Sequence, residues 1–175
     1  MGKWDDESKK KEYNNLKQPF SGKTDKVSRN QLGSDYNRIK NNYEKRRKDI
    51  KKDHYSGGCF ITTAVCQTLQ KSDDCEELMK FRHFRDVFMQ TTPEMQSEVQ
   101  EYYKIAPKIC SAIDNSENES SFNIYISIWE NSLKLAFEAL KSGKNREAYN
   151  IYKDMVIGLK RIFLREENDK SDTNY

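Results

Sequence analysis

The chain of 175 residues has 31 Lys/Arg against 28 Asp/Glu, a net charge of +3, and 35% hydrophobic residues, which suits one domain with an appendage. No apolar run approaches the roughly 18 residues that cross a bilayer, and the start MGKWDDESKKK lacks the apolar stretch of a secretory leader. A cytoplasmic protein with no membrane contact is the expectation, with Cys59, Cys66, Cys75 and Cys110 as thiols rather than disulfides.

Charge is divided along the chain. Residues 1–56 hold 16 Lys/Arg and 9 Asp/Glu, whereas residues 57–175 hold 15 and 19, so a basic arm precedes an acidic remainder. Bulky apolar residues are sparse up to residue 34, where Pro19 and Gly22 interrupt any helix, and this stretch reads as disordered or loosely attached. Over about 35–54, Tyr36, Ile39, Tyr43 and Ile50 fall on one narrow helical stripe that needs a partner surface. Ser56-Gly57-Gly58 then breaks the helix.

The segment CFITTAVCQTLQ (59–70) predicts a short helix, although Ile61, Thr62, Thr63 and Val65 are β-branched. A helix over about 74–90 follows, with Asp73 as N-cap and Glu76 three residues on. Thr92-Pro93 has the form of a cap and a first helical residue, and Pro107 is expected to end that helix. After a polar loop over 114–121, two long apolar patterns meet at SGKN, with Gly143 as a stop and Asn145 as a cap. They predict an antiparallel hairpin over 121–166, with a frayed tail at 168–175. The expected fold is therefore all-α: a compact helical bundle over 57–167, ending in that hairpin and preceded by the charged arm.

Three blocks stand out: Gly-Gly-Cys59-Phe60-Ile61-Thr62-Thr63-Ala64, then Phe81-Arg82-His83-Phe84-Arg85-Asp86, then Tyr102-Tyr103-Lys104-Ile105-Ala106-Pro107. In this order and spacing they resemble the bacterial CFI-box domain, over about residues 57–114. Phe81 stands where that family usually has Leu. The resemblance implies a domain boundary and candidate residues but no reaction, because the family has no established activity.

Cys59 is the first candidate site residue. A thiol after two glycines at a helix start is placed for thiolate stabilisation, as a sensor or nucleophile requires, while the plainer reading is a small buried packing residue. A cysteine enzyme would need a base from His54 or His83, neither of which the pattern fixes beside it. Cys59 and Cys66 lie two helical turns apart, about 10 Å, too far to share one ion, so no metal and no cofactor are expected. Arg82 and Asp86 are spaced i,i+4 for an ion pair, with Arg85 free to pair elsewhere. With Tyr102 and Tyr103 they form either a structural network or a polar pocket for an anion. The basic cluster Lys45, Arg46, Arg47, Lys48, Lys51 and Lys52, with Tyr43 and Tyr55 available to stack, makes nucleic acid or another polyanion a possible partner. The leading reading is a non-catalytic helical interaction or regulatory module that binds a protein partner or itself. A thiol-centred activity at Cys59 is the alternative, and polyanion binding the second.

Overall fold

The structure, a computed structural model, describes residues 32–53, 59–117 and 120–164, with the side chains of the first segment described as far as Arg46. Residues 1–31 of the expected arm, the Ser56-Gly57-Gly58 break, His54, Tyr55, the tail after Leu164 and the side chains of Arg47, Lys48, Lys51 and Lys52 lie outside the described residues. The described residues form six helices and no strand: α1 (Tyr36–Asp53), α2 (Phe60–Thr68), α3 (Glu76–Val87), α4 (Pro93–Asp114), α5 (Ser121–Ile128 continuing through Lys134–Lys141) and α6 (Asn145–Phe163).

Helix α2 lies at the centre and packs against α1, α3, α4 and α5. Its β-branched residues form a helix because nearly every position is buried, so tertiary burial outweighs a weak local propensity. Ile61, Ala64 and Val65 are fully inaccessible there, and Thr68 returns its hydroxyl to the Ala64 carbonyl at 2.8 Å.

The stripe of α1 finds its partner surface on the same chain. Tyr36 and Tyr43 pack on Phe122 with ring centroids 5.8 and 5.4 Å apart. The Tyr43 hydroxyl is 2.8 Å from Ser121 Oγ, so even the polar tip of this buried ring is satisfied. Gln70 fastens the same helix from the loop after α2. Its amide donates to the Ile39 carbonyl at 3.2 Å and its oxygen accepts from Asn42 at 3.3 Å. Gln70 has φ +61, a left-handed conformation that a residue other than glycine adopts at some cost. Leu32, at the edge of the stretch expected to be loose, also packs on this aromatic cluster.

Three local expectations are corrected. Helix α3 is capped at Cys75, without a side-chain bond, and not at Asp73. The Asp73 carboxylate instead takes two hydrogen bonds from one Arg82 nitrogen, at 2.9 and 3.0 Å, a charge-assisted contact. Helix α4 runs through Pro107 to Asp114. Pro107 cannot donate to the Tyr103 carbonyl, yet Ala106, Ile109, Cys110 and Ile113 are all fully buried and hold the helix together across it. Asn145 is the first residue of α6, and Lys144 occupies the cap position.

Other expectations hold. Thr92 Oγ1 accepts from the Met95 N–H at 3.3 Å with Pro93 as the first helical residue. Gly143, at φ +72, closes α5: Lys144 N–H reaches back to the Ala139 carbonyl at 2.9 Å. Helices α5 and α6 then form the expected hairpin. One feature had no sequence signal: α5 has a π turn at Trp129–Leu133, where the Lys134 N–H bonds to the carbonyl of Trp129.

Candidate functional site

Cys59 at the N-cap of α2, the inner face of α3, the middle of α4 and α6 from Tyr149 onward meet around a cavity of about 670 Å³. Each of the three sequence blocks reaches it: Cys59 from the first, Phe81, Phe84 and Arg85 from the second, Tyr102 and Ile105 from the third.

Tyr102 ties the third block to the first. Its hydroxyl accepts the Ile61 N–H at 3.2 Å, satisfying one of the free donors at the start of α2. It also accepts from the Tyr152 hydroxyl at 3.1 Å, and Tyr152 in turn lies 3.3 Å from Thr62 Oγ1. Burial, then the neighbouring Tyr152, holds the Tyr102 phenol well above its ordinary value, so it stays protonated. Phe60 packs between the rings of Tyr102 and Tyr103, at 6.3 and 6.2 Å. The paired tyrosines thus brace the N-terminus of α2.

Arg85 ties the second block to the first. Its Nε and Nη2 hold the Asp86 carboxylate at 2.6 and 2.9 Å, while Nη1 donates to Cys59 Sγ at 3.4 Å. The pairing differs from the expected i,i+4 arrangement: Asp86 goes to its neighbour Arg85, and Arg82 reaches Asp73. Arg85 meets Asp86 through two nitrogens in a planar two-point contact, while Arg82 divides its fork between the Asp73 carboxylate and the Asp73 carbonyl. The Arg85 hydrogen bonds lower the Asp86 carboxyl below its ordinary range.

Cys59 is the N-cap residue of α2 and 5% exposed. Burial raises its thiol above the ordinary value, against the opposing pull of Arg85 and Arg82, so the group is protonated near neutral pH. Among the described residues no histidine lines the cavity, and His83 points to solvent. Cys66 is buried beside Leu78, with Cys75 against the same small cluster, and burial pushes its thiol up as well.

Of the five residues expected to form a polar network or pocket, Arg85 and Tyr102 line the cavity. Tyr103 supports it through Phe60, and Arg82 and Asp86 hold the loop before α3 and the Arg85 side chain. Sequence reasoning missed the α6 contribution. Tyr149, Tyr152, Lys153, Val156, Lys160 and Arg161 line the cavity, but read along the chain they look like one half of a hairpin. The available signal was Tyr149 and Tyr152, spaced three residues apart on one face of α6.

In the basic arm, Lys45 and Arg46 are exposed, but Tyr43 is 1% exposed and is corrected as a base-stacking residue: its ring belongs to the α1–α5 contact. No protein-family model, curated protein or solved structure matches the chain. Among the described residues, no helix is long and apolar enough to cross a membrane.

Proposed function

We propose that the protein is a non-catalytic, cytoplasmic helical module that works by holding an apolar ligand in the cavity between α3, α4 and α6, and that residues 57–114 are a CFI-box domain. One observation carries this reading: the three sequence blocks, separated by up to 48 positions from Cys59 to Pro107, meet around a single cavity with Phe81, Phe84, Val99 and Val156 in its wall. A largely apolar cavity within about 300–1,000 Å³, with a few fixed polar groups, is the usual form of a small-molecule site. The groups that bear on reactivity favour binding over chemistry. The thiol is held protonated, and its guanidinium neighbour is a hydrogen-bond donor with no capacity to act as a base.

The neutral fluorophore N-phenyl-1-naphthylamine tests the reading. The whole chain is expected to bind it saturably at one site, and Val156→Trp, which places a bulkier ring in the cavity, is expected to weaken binding at least ten-fold without lowering the melting temperature. Absence of saturable binding, or binding unchanged in Val156→Trp, rejects the reading.

The thiol alternative has a single observation in its favour, the 3.4 Å contact between Arg85 and Cys59. Iodoacetamide labelling of Cys59 across pH separates the two. A protonated packing thiol reacts more slowly than free cysteine at pH 7–8, whereas a thiol-centred activity demands faster labelling with a midpoint below about 8.5.

A further inference from the structure

The charges around the cavity specify more than an apolar ligand. The buried wall residues Phe81, Phe84, Met89 and Val99 contrast with a solvent-side rim that includes Lys160 and Arg161 in the last turn of α6. Most of the charged lining is internally matched. Lys153 meets Glu98 at 2.6 Å, Lys160 meets Glu101 at 3.0 Å, and Arg85 meets Asp86. Arg161 is exposed and has no ion pair among the described residues. With Asp86 on Arg85, four cationic lining side chains (Arg85, Lys153, Lys160, Arg161) face three carboxylates (Asp86, Glu98, Glu101), and the excess is Arg161. The Lys160–Glu101 pair is also half-exposed on both sides, so a second carboxylate can share the Lys160 ammonium at little cost.

We infer that the cavity holds a free single-chain amphiphile with an anionic head, its hydrocarbon chain against Phe81, Phe84, Val99 and Val156 and its carboxylate at Lys160 and Arg161. This rests on the apolar-ligand reading above and names the class of that ligand. The occupant is taken as monomeric in water. The excess rim charge is local and the cavity walls are helices of the bundle, which suits one enclosed chain better than a bilayer surface.

Competition against bound N-phenyl-1-naphthylamine by dodecanoate, dodecan-1-ol and dodecylamine, each below its micelle or solubility limit, tests the inference on the whole protein. Dodecanoate is expected to displace the fluorophore roughly five-fold more effectively than dodecan-1-ol, the scale of one exposed ion pair, with dodecylamine the weakest of the three. The double variant Lys160→Ala/Arg161→Ala is expected to remove the preference for carboxylate over alcohol, read as the ratio of the two displacement midpoints, with a helical circular-dichroism spectrum showing that the variant is folded. High salt should shrink the preference in the native chain. Equal displacement by acid and alcohol, or a carboxylate preference that survives in the double variant, overturns the anionic-head inference and leaves the apolar-ligand reading standing. Failure of the fluorophore to bind removes both. Co-sedimentation of the chain with phosphatidylglycerol vesicles, together with no displacement by monomeric dodecanoate, points to a membrane surface and also overturns the inference.

Discussion

Two aromatic regions of this bundle are handled in opposite ways. In the first, Tyr36 and Tyr43 of α1 press on Phe122 and Ile126 of α5, all four nearly inaccessible, with the phenol of Tyr43 matched to Ser121. In the second, Phe81, Phe84, Tyr102, Tyr149 and Tyr152 come together from three helices and still leave a cavity between them. The composition of the two regions is similar, so aromatic content does not separate a sealed contact from a site. The number of elements that converge does. Two helices crossing can close a seam, whereas three helices held apart by rings leave space at their junction.

The largest test of this contrast is Phe122→Ala. Truncating a fully buried ring is expected to cost about 3–5 kcal/mol, read by chemical denaturation, because the seam has no slack to absorb the loss. Fluorophore binding by the folded fraction should be unchanged, and a lost cavity in folded Phe122→Ala would show that the two regions are not independent.

Alkaline titration is the next lever. The Cys110 thiol is pushed up to about 12 by burial, then by the nearby Asp114 carboxylate, from an ordinary value of 9.0. A group whose folded value is raised stabilises the fold fully below its unfolded value and loses that contribution as pH climbs towards the folded one. Stability should therefore hold to about pH 9 and fall above it by up to about 1.4 kcal/mol per pH unit for each such group. Thermal melts between pH 8 and 11 check this, and Cys110→Ala should flatten the slope. An unchanged slope in that variant would remove Cys110 from the account.

Pro107→Ala restores a donor for the Tyr103 carbonyl in the middle of α4 and should raise stability by about 1 kcal/mol, measured by the denaturant midpoint. The gain sharpens the comparison if it comes with weaker fluorophore binding, since the proline lies beside the cavity-lining turn of Ile105. Arg82→Ala is expected to have the smallest effect, about 0.5 kcal/mol. Its Asp73 partner is 71% exposed, and the pair holds a loop outside both regions.

The sealed seam was far more legible in the sequence than the site. Tyr36, Ile39 and Tyr43 announce a helical stripe by spacing alone, and a stripe too narrow to stand alone implies a partner. The hairpin followed from Gly143 and the two apolar patterns flanking it. The cavity was only half visible. The three blocks named Cys59, Arg85 and Tyr102, but not that α6 would complete the wall with Tyr152, Val156 and Arg161, because a helix facing a cavity has the same periodicity as one facing a core. Pairing choices were also hidden. Arg82 at i,i+4 from Asp86 is a sound local expectation that a tertiary partner, Asp73, displaces. Pro107 misled for the same reason: a local rule ends the helix, and the burial of Ile109 and Ile113 overrules it.

The π turn at 129–133 has a consequence for how α5 tolerates change. It adds one residue to a turn, so everything after it is rotated by about 100° relative to an unbroken α-helix. That rotation is what aims Ala136, Phe137 and Leu140 at their neighbours. Deleting a single residue within the turn would convert it to plain α-helix and keep all three on the hairpin seam, whereas deleting exposed Lys134 or Leu135, in the α-helical part, would swing the residues after it by about 100°. The turn is thus a place where α5 has a residue to spare.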